Sequence, residues 1–98
     1  MADQQQNQQI QIKVTDEVLK GNFANMVQVG HTQEEFILDF MNLLPPTAML
    51  TSRVIVTPAH MKRILAALTD NLKKYEDQYG AIPNSDPNTL PKVGFRTE

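Results

Sequence analysis

Residues 53–80 read RVIVTPAHMKRILAALTDNLKKYEDQYG. This is a strand that runs straight into a long amphipathic helix, and it decides the fold. Thr57 suits the N-cap, because its hydroxyl can accept from an orphan N–H of the first turn. Pro58 follows at the first helical position, where its missing N–H is no loss. Met61, Ile64, Leu65, Leu68, Leu72, Tyr75 and Tyr79 then recur with period 3.6 and form one stripe. The opposite side carries Lys62, Arg63, Asp70, Lys73, Lys74, Glu76 and Asp77. Asp70 is spaced to reach Lys74, and Lys73 to reach Asp77. Gly80 supplies the left-handed residue that ends a helix. At 1.5 Å per residue such a helix spans roughly 33 Å. A stripe of that length calls for cover. Leu68→Ala is therefore expected to cost about 2–5 kcal/mol, and Lys73→Ala under about 0.5 kcal/mol.

The chain before residue 53 supplies strands. Ile10, Ile12 and Val14 alternate with polar residues and read as a short strand; 16–21 reads as a connection. The alternation resumes over 22–31. A turn follows at 30–34, and a third strand occupies 35–43 with Phe36, Leu38 and Phe40 on one face. Pro45 and Pro46 cannot continue a central strand and mark a turn. The fourth strand covers 49–57. Pairing the third and fourth strands about a centre near Pro46 sets Phe36 opposite Val56, Leu38 opposite Val54, and Asp39 opposite Arg53. Apolar residues meet apolar residues, and the one acid meets the one base. A slip of one residue loses both features.

Ninety-eight residues make one domain at most. Residues 1–8 form a glutamine-rich tail expected to be disordered. Residues 9–82 are read as a single α+β domain, and 83–98, with Pro83, Pro87 and Pro91, as a flexible tail. The expected architecture is an antiparallel sheet of three to four strands with one long C-terminal amphipathic helix packed on one face. A domain this small is marginal without help, and with no cysteine the help is neither disulfide nor thiolate metal. The net charge of −2, with both signs interspersed, argues against nucleic acid as a partner. The N-terminus has no basic region followed by an apolar run, so no signal peptide is expected there. No apolar run approaches the roughly 20 residues that span a bilayer. The expected location is the cytoplasm.

The inventory of chemistry is short. His31 and His60 lie apart and fit no metal-ligand spacing. Glu34 and Glu35 read as turn residues, and Asp39 is matched by Arg53, so no carboxylate pair is left for acid–base work. His60, Lys62 and Arg63 near a helix N-terminus could hold an anion, but they fit a solvated helix face better. No residue is assigned a catalytic, cofactor-binding or metal role.

The spaced signatures Phe23-Ala24-Asn25, Glu35-Phe36, Asp39-Phe40, Pro46, Arg53-Val54-Ile55, Pro58, Leu65, Leu68 and Tyr75-Glu76 resemble domain-of-unknown-function family 3467. That resemblance covers 22–82 and departs from the family pattern at Phe23, where tyrosine is usual. It implies a small prokaryotic protein and brings no activity or catalytic residue with it. The order of four antiparallel strands and a C-terminal helix is also that of the export chaperone SecB, a likeness of architecture alone.

The remaining signal is a second apolar face. One helix covers one face of a sheet, here that of Phe36, Leu38, Phe40, Val54 and Val56. The opposite parity should be polar if it met water. Instead it carries Met26, Ile37, Met41, Met49 and Ile55, interrupted by Asp39 and Arg53. These seven residues are the candidate interface. The expected function is a non-enzymatic, oligomeric interaction module, a homodimer or larger. A SecB-like holdase or adaptor, binding extended apolar segments of another protein, is the alternative.

Overall fold

The computed structural model describes residues 9–84. The tail expected over 1–8, and all of the C-terminal tail beyond residue 84, lie outside the described residues. The chain divides between Pro58 and Ala59 into two compact units. The elements in order are α1 (Asp16–Lys20), β1 (Met26–His31), β2 (Phe36–Leu44), β3 (Thr47–Val56) and α2 (Pro58–Tyr79). The class is α+β, as the residue pattern predicts. The sheet is antiparallel and three-stranded, in the order β1-β2-β3.

The first unit is built on β2, which has a neighbour on each side. Among the described residues the buried ones are Leu38, Asp39 and Met41, all on this central strand. The register between β2 and β3 pairs Phe36 with Val56, Ile37 with Ile55, Leu38 with Val54 and Asp39 with Arg53, as the alternation of residues requires. Below Phe40 the register shifts by one residue. Phe40 pairs with Ser52, but Met41 pairs with Leu50, so Thr51 is the extra residue of a β-bulge. The Thr51 hydroxyl donates to the Phe40 carbonyl at 3.0 Å. The hairpin closes through a two-residue turn, Pro45-Pro46, whose peptide bond is cis, between the paired residues Leu44 and Thr47. Such a turn with a cis proline at its third position is type VI. At the other end of β2, the Thr32 N–H donates to the Glu35 carbonyl at 2.9 Å. The Thr32 hydroxyl accepts from the N–H groups of Glu34 and Glu35, tightening the β1–β2 turn.

Two parts of the N-terminal reading need correction. Residues 9–15 form no strand: Ile10, Ile12 and Val14 are exposed. Alternation announces two faces but does not provide a neighbouring strand, and three apolar residues bury too little to hold one. The connection at 16–21 contains α1. The Thr15 hydroxyl accepts from the Val18 N–H at 3.3 Å, Asp16 and Glu17 fill the first turn, and Gly21 ends it at φ 79°. The strand expected over 22–31 begins only at Met26.

Asn25 explains that late start. Its backbone N–H donates to the Met41 carbonyl at 3.1 Å. Its side chain then takes the place of the next strand residue. The amide nitrogen donates to the Leu43 carbonyl at 3.0 Å, and the amide oxygen accepts from the Leu43 N–H at 2.7 Å. Asn25→Ala removes both bonds and is expected to destabilise the protein by about 1–2 kcal/mol. Asn25→Asp keeps the acceptor but faces the Leu43 carbonyl with no donor, and should do no better. A urea melt of either variant that overlays the wild type would contradict this account.

The second unit is dominated by α2. It ends where Gly80 takes φ 98° and donates its N–H to the Glu76 carbonyl at 2.8 Å. The two ion pairs expected from spacing are present, Lys73–Asp77 at 2.8 Å and Lys74–Asp70 at 3.2 Å. The Glu76 carboxylate reaches past the helix end to accept from the Ile82 N–H at 2.8 Å. No residue of α2 is buried in the single chain. Leu65 and Leu68 are each 63% exposed. Periodicity says that a face wants cover; it does not say where the cover comes from.

Candidate functional site

In an antiparallel sheet, residues directly opposite one another share a face. The registers therefore set three rows across β1, β2 and β3 on one side: Gly30–Ile37–Ile55, Gln28–Asp39–Arg53 and Met26–Met41–Leu50. The other side carries His31–Phe36–Val56, Val29–Leu38–Val54 and Val27–Phe40–Ser52. Six of the seven candidate interface residues, Met26, Ile37, Asp39, Met41, Arg53 and Ile55, fall on the first side. Met49 does not. The bulge at Thr51 inverts the parity of β3 beyond it, so Met49 pairs with Asn42 and joins the side of Leu38 and Phe40. Leu50, 42% exposed, takes its place opposite Met41. Strict alternation could not have found Leu50, because the signal is the odd residue and not the apolar pattern.

The middle row is the polar centre of this side. The Arg53 guanidinium grips Asp39 with two parallel bonds, Nε to Oδ1 at 2.7 Å and Nη2 to Oδ2 at 3.0 Å. This fork is the geometry that arginine, and not lysine, offers a carboxylate. Asp39 is 4% exposed, whereas about half of the Arg53 side chain meets solvent. The Arg53 hydrogen bonds hold the Asp39 carboxyl below its usual range, and the nearby positive charge adds to this. Burial pushes the other way and loses. Arg53 is shifted upward, chiefly by the same hydrogen bonds, and stays charged.

Around the fork the six residues are not equivalent. Asp39 and Met41 are buried within the chain. Ile37 and Met26 are half-buried, while Ile55 is 56% exposed. The apolar surface exposed on this side is therefore Ile55 and Leu50, with Met26 and Ile37 at their flanks. Nothing in this arrangement aims a nucleophile or a base at a shared point. No group of three or more His, Asp or Glu residues that could hold a metal ion occurs among the described residues. His60 stands in the first turn of α2. A shallow depression along that helix is lined by Lys62, Leu65, Ala66, Thr69, Asp70 and Lys73, and His60 is not part of it. No helix among the described residues is long and apolar enough to cross a membrane.

Comparison with known proteins returns one finding. The profile of a family described as protein of unknown function, DUF3467, matches residues 1–84. No curated protein and no solved structure matches the chain. The match takes in the signature positions Asn25, Asp39, Arg53, Pro58 and Tyr75, and at 1–84 it runs past the 22–82 of that resemblance at both ends. By that match over most of its length, the chain belongs to the DUF3467 family.

Proposed function

We propose that this chain is a non-enzymatic assembly module that associates with copies of itself through the sheet side bearing the Asp39–Arg53 fork. The observation that carries this reading is the exposure of Ile55 and Leu50 beside the doubly bridged Asp39–Arg53 pair. Exposed apolar residues around a fixed charge pair suit a contact that needs both area and orientation. A two-fold self-contact is the commonest form such association takes. The proposed compartment is the cytoplasm, where a chain without cysteine forgoes nothing.

Light scattering at micromolar concentration tests the proposal. The expected mass is twice 11.1 kDa or more for the wild type. It is expected to fall to that of a single chain in Ile37→Asp combined with Ile55→Asp. A monomeric wild type would sink the proposal, as would an assembly that this double variant leaves intact.

A second reading has one observation in its favour. The order β1-β2-β3 leaves the outer edge of β3 without a strand neighbour among the described residues. A holdase in the manner of SecB could add an extended apolar segment there. Suppression of aggregation of an unfolded client by the wild type, with no self-association, would favour this reading over the first.

A further inference from the structure

Along α2, Met61, Leu65, Leu68, Leu72, Tyr75 and Tyr79 are separated by steps of four, three, four, three and four residues. That alternation is the seam of a two-helix coiled coil, and it is narrower than a generic amphipathic face. Leu65, Leu68, Leu72, Tyr75 and Tyr79 are all exposed. Resting on the self-assembly reading above, we propose that α2 pairs antiparallel with α2 of a second copy of this chain, about a two-fold axis near Asp70.

Two features of the sequence on this helix select the occupant and its direction. The first is the filling of the seam. With the two-fold at Asp70, Met61 meets the second copy's Tyr79, Leu65 meets its Tyr75, and Leu68 meets its Leu72. Each seam residue finds a partner and none is left over. Large residues at the ends meet smaller ones, and leucine meets leucine in the middle. The second feature is charge. One rim beside the seam is Lys62, Thr69 and Glu76; the other is Ile64, Asn71 and Gln78, which sets Ile64 against the second copy's Gln78. In this register Lys62 of each copy faces Glu76 of the other, and the two Thr69 residues face each other across the axis. Parallel pairing would set Ile64 beside Thr69 and Asn71 beside Glu76, with no ion pair on either rim. Lys73, Asp77, Lys74 and Asp70 already pair within the helix. Glu76 uses Oε2 to accept from the Ile82 N–H, and its other oxygen remains for a lysine.

Charge reversal provides the test, read by sedimentation equilibrium of the full chain at low salt. Lys62→Glu sets two pairs of like charges together, and so does Glu76→Lys. Each is expected to raise the dissociation constant of the assembly about tenfold. The combined variant Lys62→Glu/Glu76→Lys restores opposite charges and is expected to recover wild-type association. Glu76→Lys also removes the Ile82 contact, which the combined variant does not regain, so recovery reports pairing between copies. The absence of cysteine permits single spin labels at Thr69→Cys and Arg63→Cys. Antiparallel pairing puts the labels at residue 69 side by side and those at residue 63 about 21 Å apart along the axis. An assembly indifferent to both single reversals would overturn the helix pairing while leaving the sheet-side contact standing. So would equal label separations at 63 and 69. A wild type that is monomeric at micromolar concentration would overturn both.

Discussion

Met41→Ala is expected to destabilise the protein by about 2–5 kcal/mol, a large share of what holds a domain of this size together. Met41 is 2% exposed and sits on the central strand, opposite Met26 on one side and Leu50 on the other. Truncation removes three heavy atoms from the best-packed point of the sheet, and the neighbouring backbone is tied by ladder bonds that limit collapse into the space. Leu68→Ala makes the contrasting case. Leu68 is 63% exposed, so its loss should cost under about 1 kcal/mol when measured on the single chain. If α2 pairs between copies, the cost of Leu68→Ala grows with protein concentration while that of Met41→Ala does not. Urea melts at two concentrations read both effects. Equal midpoints for Met41→Ala and Leu68→Ala in the dissociated protein would mean that the buried centre has been misplaced.

The second large effect arises from the fork. In the wild type the folded Asp39 carboxyl titrates below its ordinary value, chiefly through the Arg53 hydrogen bonds. Its contribution to stability is therefore present above the unfolded value, near pH 4, and is lost as pH falls through the folded one. Arg53→Met removes the hydrogen bonds and the positive charge and leaves only burial, which raises the pKa of Asp39. The sign then reverses. The variant keeps its stability while Asp39 is protonated, and loses it as pH rises past the unfolded value. The gap in Tm between wild type and Arg53→Met should widen as pH rises through the ordinary carboxylate range and then level off. Adding Asp39→Asn to Arg53→Met should flatten this dependence. A gap that stays constant with pH would show that the guanidinium acts through packing alone.

Much of the fold was legible in the sequence, and the reasons are particular. Phe36, Leu38, Val54 and Val56 alternate cleanly, and one acid and one base fall at matching positions. These features define the outer register, and the Asp39–Arg53 bridge follows from it. The α2 boundaries were legible because Pro58 and Gly80 punctuate them. The inner half of the hairpin was not. A pairing centred on residue 46 and a two-residue turn at Pro45-Pro46 are incompatible unless one strand holds an odd residue. The bulge at Thr51 supplies it, and Met49 and Leu50 exchange sides as a result. The turn and the register together imply the bulge, although neither implies it alone. The short helix α1 was missed although Thr15, Asp16, Glu17 and Gly21 carry its cap, its acidic first turn and its stop. Its five residues are too few to show a period. The candidate interface suffered in a different way. Parity locates a side of a sheet, but it cannot tell Met41, which the chain buries, from Ile55, which it leaves outside.

The Asn25 clamp has a consequence for how the sheet opens. The amide hydrogen of Leu43 is held by a side chain, at 2.7 Å, and not by a strand. A backbone partner is released only when the strands part. A side-chain partner is released by rotation about Cα–Cβ, a motion of a different order of speed. Hydrogen–deuterium exchange at Leu43 therefore reports the turning of one side chain, while exchange at the paired amides of β1 and β2 reports separation of the sheet. The end of the β1–β2 ladder is a latch with its own clock, and the chain before Asn25 can move without unzipping the strands beyond it.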